Sequence, residues 1–221
     1  MVQYQSTRGH KETISFEDVI LSGLAPDKGL YLPDSLTIDN LNHLTEEDVS
    51  YEDFVKTIFI ALDKNSAKYV DDLSLYSGFK NSAEPVLKDL NDTTLIMELF
   101  HGPTKSFKDY ALQPLGAIAD KRLSELGERG LVLVATSGDT GSAAIQAVKE
   151  SENIDIVVLH PAGKISDYQR KQMTTVIKEN VLNIAVNGSY DDCQRIAKEI
   201  LSDNPFDRRI ISLNSVSYTH L

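Results

Sequence analysis

The sequence predicts an α/β fold built on an open, mostly parallel sheet with crossover helices and preceded by a mainly helical N-terminal region. Three observations point there. From Thr94 onward, apolar runs of strand length alternate with longer segments of helical spacing. The 221 residues are 41% hydrophobic and 25% charged, enough apolar material for a real core. Two loops rich in glycine and hydroxyl residues follow apolar runs, the place where ligands collect in such sheets.

Strands are expected at Thr94 to Leu99, Gly130 to Ala135, Ile154 to His160, Val181 to Val186 and Arg209 to Leu213. Helices are expected between them, at Asp109 to Ser124, Ser142 to Glu150, Ser166 to Ile177 and Tyr190 to Ser202. Strand and helix in alternation imply strand–helix–strand units around a buried parallel sheet. In the last helix Tyr190, Cys193, Ile196, Ala197, Ile200 and Leu201 share one face, and Ser189 with Asp192 forms a capping box. Cys193 therefore reads as a small buried hydrophobe and not a nucleophile.

Residues 1 to 92 read as a separate, mainly helical region, with helical stretches at Phe16 to Ser22 and Tyr51 to Leu62. Turns are expected at Pro26-Asp27-Lys28-Gly29 and Leu32-Pro33-Asp34. Residues 93 to 216 read as the first part of an α/β domain.

The formal charge of −11 argues against a nucleic-acid surface or an anionic membrane, which need clustered Lys and Arg. A small anionic metabolite stays compatible, because a few local donors hold it. One cysteine excludes an intrachain disulfide and a cysteine zinc cluster, which suits a reducing compartment. The polar start and the lack of a run of about 18 apolar residues imply a cytoplasmic chain with no membrane span.

The first candidate loop, Phe100 to Asp109, runs from a strand end through Gly102-Pro103 into a helix start. A lysine near a helix N-terminus sits in positive potential and, when partly buried, gives up its proton more readily, leaving an amine that can condense with an aldehyde. On those grounds Lys105 and Lys108 are equal candidates, and both could equally be solvated charges. The second loop, Thr136 to Ser142, offers two glycines and four hydroxyl residues at a helix start. It reads either as an anion site or as a strand-to-helix turn in which Ser137, Asp139 or Thr140 caps the helix. Neither P-loop nor G-x-G-x-x-G spacing is present.

Together these loops resemble the threonine synthase family, whose members carry H-G-P-T-x-x-F-K-D and, about thirty residues later, A-T-S-G-D-T-G-S-A. They stand here as His101 to Asp109 and Ala135 to Ala143. The resemblance extends to Ser6-Thr7-Arg8, Gly23 to Asp27, Gly29-Leu30-Tyr31, Glu98-Leu99-Phe100, Gly163 to Ser166, Gln172 to Thr175 and Asp191 to Gln194. It implies a tryptophan-synthase-β-like, fold type II pyridoxal phosphate enzyme that converts O-phospho-L-homoserine and water into L-threonine and phosphate. It implies Lys108 as the cofactor-attaching and proton-transferring residue. Ser137, Gly138, Asp139, Thr140 and Gly141 would lie beside the cofactor or bind the substrate carboxylate, and Lys164 is a candidate for the substrate phosphate.

The resemblance leaves two alternatives open: a threonine-synthase-like lyase that makes no threonine, and a non-catalytic metabolite-binding relative. Lys28 and Lys105 depart from the family pattern, which has glycine at the first position more often and an uncharged residue at the second. The family's later G-N-F-G tract does not occur in these 221 residues. The chain is thus expected to be an N-terminal fragment of the fold, inactive alone, with apolar surface exposed and a non-native or truncated tail at residues 217–221.

Overall fold

The computed structural model describes residues 2–35, 49–70, 74–80, 83–206 and 208–212. The expected tail at 217–221 lies outside them. In chain order the elements are β1 (Tyr4–Ser6), α1 (Phe16–Ser22), β2 (Tyr31–Pro33), α2 (Tyr51–Leu62), a 3₁₀ turn (Lys64–Ser66), α3 (Ala67–Val70), β3 (Val86–Asn91), β4 (Thr94–Glu98), α4 (Asp109–Leu126), β5 (Gly130–Ala135), α5 (Asp139–Val148), β6 (Ile154–Pro161), α6 (Asp167–Thr174), β7 (Val181–Val186), α7 (Tyr190–Asp203) and β8 (Arg209–Ser212). Among the described residues no helix is long and apolar enough to cross a membrane.

The main sheet is parallel throughout, in the order β7-β6-β5-β8. Its two faces bury different helices. Val132, Val134, Ile156, Val158 and Ile211 share a core with α1, α4 and α5, whereas Leu133, Ala135 and Leu159 pack against Cys193 and Ala197 of α7. The alternation is the period-2 geometry of a strand covered on both sides, which is why β5 is buried at every residue. From β5 the chain steps outward to β6 and β7, then returns through α7 to place β8 on the other side of β5. The strand order therefore reverses at β5.

Four expectations are corrected. Thr94 to Leu99 does not join the parallel sheet: β4 pairs antiparallel with β3, a strand hidden by the irregular apolar and polar order of Val86–Asn91. Leu32-Pro33-Asp34 is no turn, because Leu32 and Pro33 lie in β2, antiparallel to β1. Proline is tolerated there since the ribbon has only two strands. The helix expected from Ser142 starts one turn earlier, at Asp139. The helix expected to reach Ile177 stops at Thr174.

The helical stretches of the first 92 residues are thus accompanied by β1, β2 and β3, and the proposed boundary at 92/93 falls in the β3–β4 turn. Tyr4, Phe16, Ile20, Leu21, Tyr69 and Val70 of this region share one core with α4 and the sheet.

Helix α4 carries Pro114 in its interior. Proline has no N–H for the carbonyl of Tyr110, one turn back, and the Tyr76 hydroxyl donates to that oxygen instead, at 3.0 Å. Tyr76 sits in an aromatic cluster with Tyr51, Phe79 and Tyr110, and burial pushes its hydroxyl pKa well up. The entry of α4 is thereby pinned to the N-terminal region.

Candidate active site

The two loops are built differently. Lys108 is the N-cap residue of α4 and has no side-chain cap bond. The keystone of its loop is Asp109, which is fully buried. The Thr104 N–H and hydroxyl each donate to one oxygen of the Asp109 carboxylate, both at 2.8 Å. Gly102 lies so close that a Cβ there would sit 2.5 Å from Oδ2 of the same carboxylate.

Burial raises the Asp109 pKa above the ordinary 3.8, and the hydrogen bonds from Thr104 and the Lys105 N–H oppose that rise only in part. The loop closes with Lys105 N–H on the Gly102 carbonyl at 3.1 Å and Lys108 N–H on the Ser106 hydroxyl at 3.3 Å. Lys108 is half-buried, with Nζ 4.9 Å from the Phe107 ring centroid, a cation–π distance. Lys105 is exposed and left-handed, with φ of 62°.

Lys28 and Lys105 are the non-glycine residues of positive φ among those described. Both are the positions where the sequence departs from the family pattern. At Lys28 the left-handed backbone, φ 64°, supplies the reason glycine is the commoner residue there. His101 Nε2 lies 2.9 Å from Glu98, which also pairs with Lys88 at 2.9 Å. The hydrogen bond from Lys88 first, and then that from His101, hold the Glu98 carboxyl below its usual range.

The second loop joins β5 to α5 at the point where the strand order reverses. In open α/β sheets the crevice outside the carboxyl ends of strands at such a reversal is the ligand site. The buried Thr136 hydroxyl accepts from the N–H groups of Gly138 and Gly141, at 2.9 and 3.0 Å, and so shapes the turn from within. Gly138 adopts φ of 141°, a conformation L side chains rarely take, and Gly141 abuts Thr136, Val158 and Met173.

The Asp139 side chain does not cap α5: the helix has no side-chain cap bond, and the Asp139 carboxylate instead accepts from Gln169 at 2.6 Å. Thr136 takes the Gly141 N–H, so at the start of α5 the N–H groups of Asp139 and Thr140 are the donors left for an anion, which favours the anion-site alternative over the simple cap. Ser137 and Asp139 are exposed, while Gly138, Thr140 and Gly141 are buried. Lys164 is exposed in the turn that follows β6, at the same carboxyl end of the sheet.

Two features escaped the sequence reading. His160, at the carboxyl end of β6, is 4% exposed and its Nδ1 has no partner among the described residues, an orphan polar atom at the carboxyl end of the sheet. Helix α6 reaches both loops: Gln172 Nε2 donates to the Thr104 carbonyl at 2.8 Å, as Gln169 does to Asp139. A histidine ending a strand is a readable signal for the first. A glutamine on a polar helix gives none for the second.

The model of the threonine synthase N terminus matches residues 3–69. A threonine synthase of Pseudomonas aeruginosa is 39% identical across 100% of this chain, which covers 48% of that protein. A protein of Xenopus laevis named threonine synthase-like 2 is 36% identical across 100% of this chain, which covers 48% of it. The crystal structure of PLP-bound threonine synthase from Brucella melitensis superposes with a TM-score of 0.86 at 34% identity, over 99% of this chain and 48% of that one. The chain spans about half the length of the relatives it matches. Along 99–100% of its length, in sequence and in fold, the chain is similar to the N-terminal part of threonine synthases.

Proposed function

We propose that this chain is the lysine-bearing part of a pyridoxal-phosphate-dependent carbon–oxygen lyase, a threonine synthase that takes O-phospho-L-homoserine and water to L-threonine and phosphate. The observation that carries the reading is Lys108: a half-buried amine at the N-terminus of an 18-residue helix, on a loop locked by a fully buried carboxylate. The structural neighbour from Brucella melitensis holds PLP, and the residues present here fit that group. Lys108 supplies the amine, and the Asp139 and Thr140 N–H groups at the start of α5 supply donors for an anion.

Pyridoxal phosphate, when bound, supplies an electron sink for carbanion chemistry. The chain's own residues do the rest. Lys108 Nζ binds the cofactor and, once released, moves protons at the α and β carbons of the substrate. Asp109 and Thr104 hold the backbone that aims Lys108. Ser137 to Gly141 bind the substrate carboxylate or line the cofactor ring, and Lys164 neutralises the substrate phosphate. Residues 1–92 serve as the packing region and 93–216 as the first part of the cofactor-binding region. The buried free thiol of Cys193 suits a reducing, cytoplasmic setting. With no G-N-F-G tract in the sequence, the 221-residue chain alone turns over little or no substrate.

The test is borohydride trapping: the chain is mixed with pyridoxal phosphate and reduced, and the modified lysine is located by peptide mass, with Lys108→Ala as control. An adduct on Lys108 is expected. Labelling confined to Lys105 and other exposed lysines would overturn the assignment. The similarity to threonine synthase-like 2 supports a second reading, a lyase that releases phosphate without making threonine. Phosphate release without threonine from a relative carrying this chain as its N-terminal part would favour it.

A further inference from the structure

Helix α6 is poorly anchored by ordinary core packing, since Met173 alone of its eight residues is buried. What it makes instead is a pair of long-range amide contacts. Gln169 and Gln172 lie three positions apart and therefore project from neighbouring positions on one side of the helix. Gln172 holds the Thr104 carbonyl at 2.8 Å, and Thr104 in turn binds the carboxylate of Asp109, the residue after Lys108. Gln169 holds the Asp139 carboxylate at 2.6 Å, with its own amide orientation set by the Ser166 hydroxyl donating to Oε1 at 2.9 Å.

The fit around Gln169 is close. A Cβ on Gly138 would stand 2.4 Å from Gln169 Cδ, and one on Gly141 would stand 2.7 Å from Met173 Sδ. The loop after β5 thus rests directly on α6 and cannot shift outward unless the helix shifts with it. Any such shift pulls on Thr104, and through Asp109 on the start of α4.

We propose that Gln169 and Gln172 are positioning residues that make the 137–141 loop and the Lys108 loop one mechanical unit, so that an anionic group seated on the first sets the placement of the amine on the second. The chemistry of this inference rests on the pyridoxal phosphate reading of Lys108. The mechanical coupling does not.

Hydrogen exchange read by mass spectrometry on the 221-residue chain tests the coupling without any cofactor. Gln172→Leu should speed exchange about fivefold both in the 104–109 peptide and in the 138–142 peptide, the effect expected for losing one hydrogen bond in a coupled unit. Gln169→Leu should do the same in both. Gln172→His, whose Nε2 lies as many bonds from Cβ as the lost donor, should restore slow exchange in both. Exchange in β5 serves as the control for unfolding, and if leucine raises it, Gln172→Glu keeps the side-chain shape while removing the donor.

Acceleration confined to the loop that the substituted side chain touches would overturn the proposal. So would a histidine variant that fails to rescue with β5 intact. Borohydride trapping then separates coupling from chemistry. Gln169→Leu, which touches only the far loop, should cut labelling of Lys108 about fivefold relative to Lys105. Unchanged labelling refutes the positioning role, whereas a wild-type chain that labels nothing at Lys108 sinks the cofactor reading and leaves the exchange result to decide the coupling.

Discussion

Strand β5 and the β3–β4 ribbon are both rich in branched and long apolar side chains, yet they meet opposite fates. Every residue of β5 is buried, and Val134 is 0% exposed. In the ribbon Leu87, Leu95 and Met97 are 56%, 59% and 57% exposed. The difference lies in what lies above each face: α5 and α7 cover β5 from two sides, while no described helix covers the ribbon. Apolar content therefore reports the tendency of a segment to be buried, and the surrounding topology decides whether that tendency is met. An apolar ribbon this open is also an association hazard.

The comparison breaks or holds on substitution. Val134→Asp places an unpaired carboxylate between two helical layers and should cost at least about 4 kcal/mol, abolishing the cooperative melt. Ile156→Ala, on the adjacent strand and 1% exposed, should cost about 2–5 kcal/mol in a denaturant titration.

Asp109 sharpens the contrast because it is a charge in the buried half. Its folded pKa is raised, so the native state binds its proton more tightly than the unfolded chain does, and stability falls as pH rises from the ordinary value near 3.8 through the raised one. Melts of Asp109→Asn lack this slope. The stability of the variant relative to wild type should grow as pH rises across that mildly acidic window and level off above it.

Lys28→Gly relieves a left-handed backbone and should stabilise by up to about 1 kcal/mol, the strain relief partly offset by added freedom in the unfolded chain. Leu95→Lys in the ribbon should change stability by no more than about 0.5 kcal/mol while lowering self-association in light scattering. A loss several times larger would mean that the ribbon is covered in solution.

Legibility in the sequence followed the same division. The helices Phe16–Ser22 and Tyr51–Leu62 fall on the bounds read from pattern, and the capping box at Ser189 and Asp192 is formed in both directions. These signals are local, so the chain carries them in a short window. The central parallel strands β5 and β6 were readable because burial on both faces demands unbroken apolar runs. What escaped was pairing. Nothing in Thr94–Glu98 tells a parallel sheet strand from one arm of a ribbon, and the three-residue strands β1 and β2 are too short to show a period. At the candidate site the loops stood out through glycines, hydroxyls and position, whereas the amides of α6 act across 30 and 68 residues of chain and leave no local mark.

Cys193 has a practical consequence. It is the only thiol of the chain and is 0% exposed on the sheet-facing side of α7, and its pKa is raised, mainly by burial. A thiol reagent can reach it only when that helix lifts from the sheet. The rate of labelling is then a clock for a single event, the opening of one layer, running silently while the opposite layer stays closed.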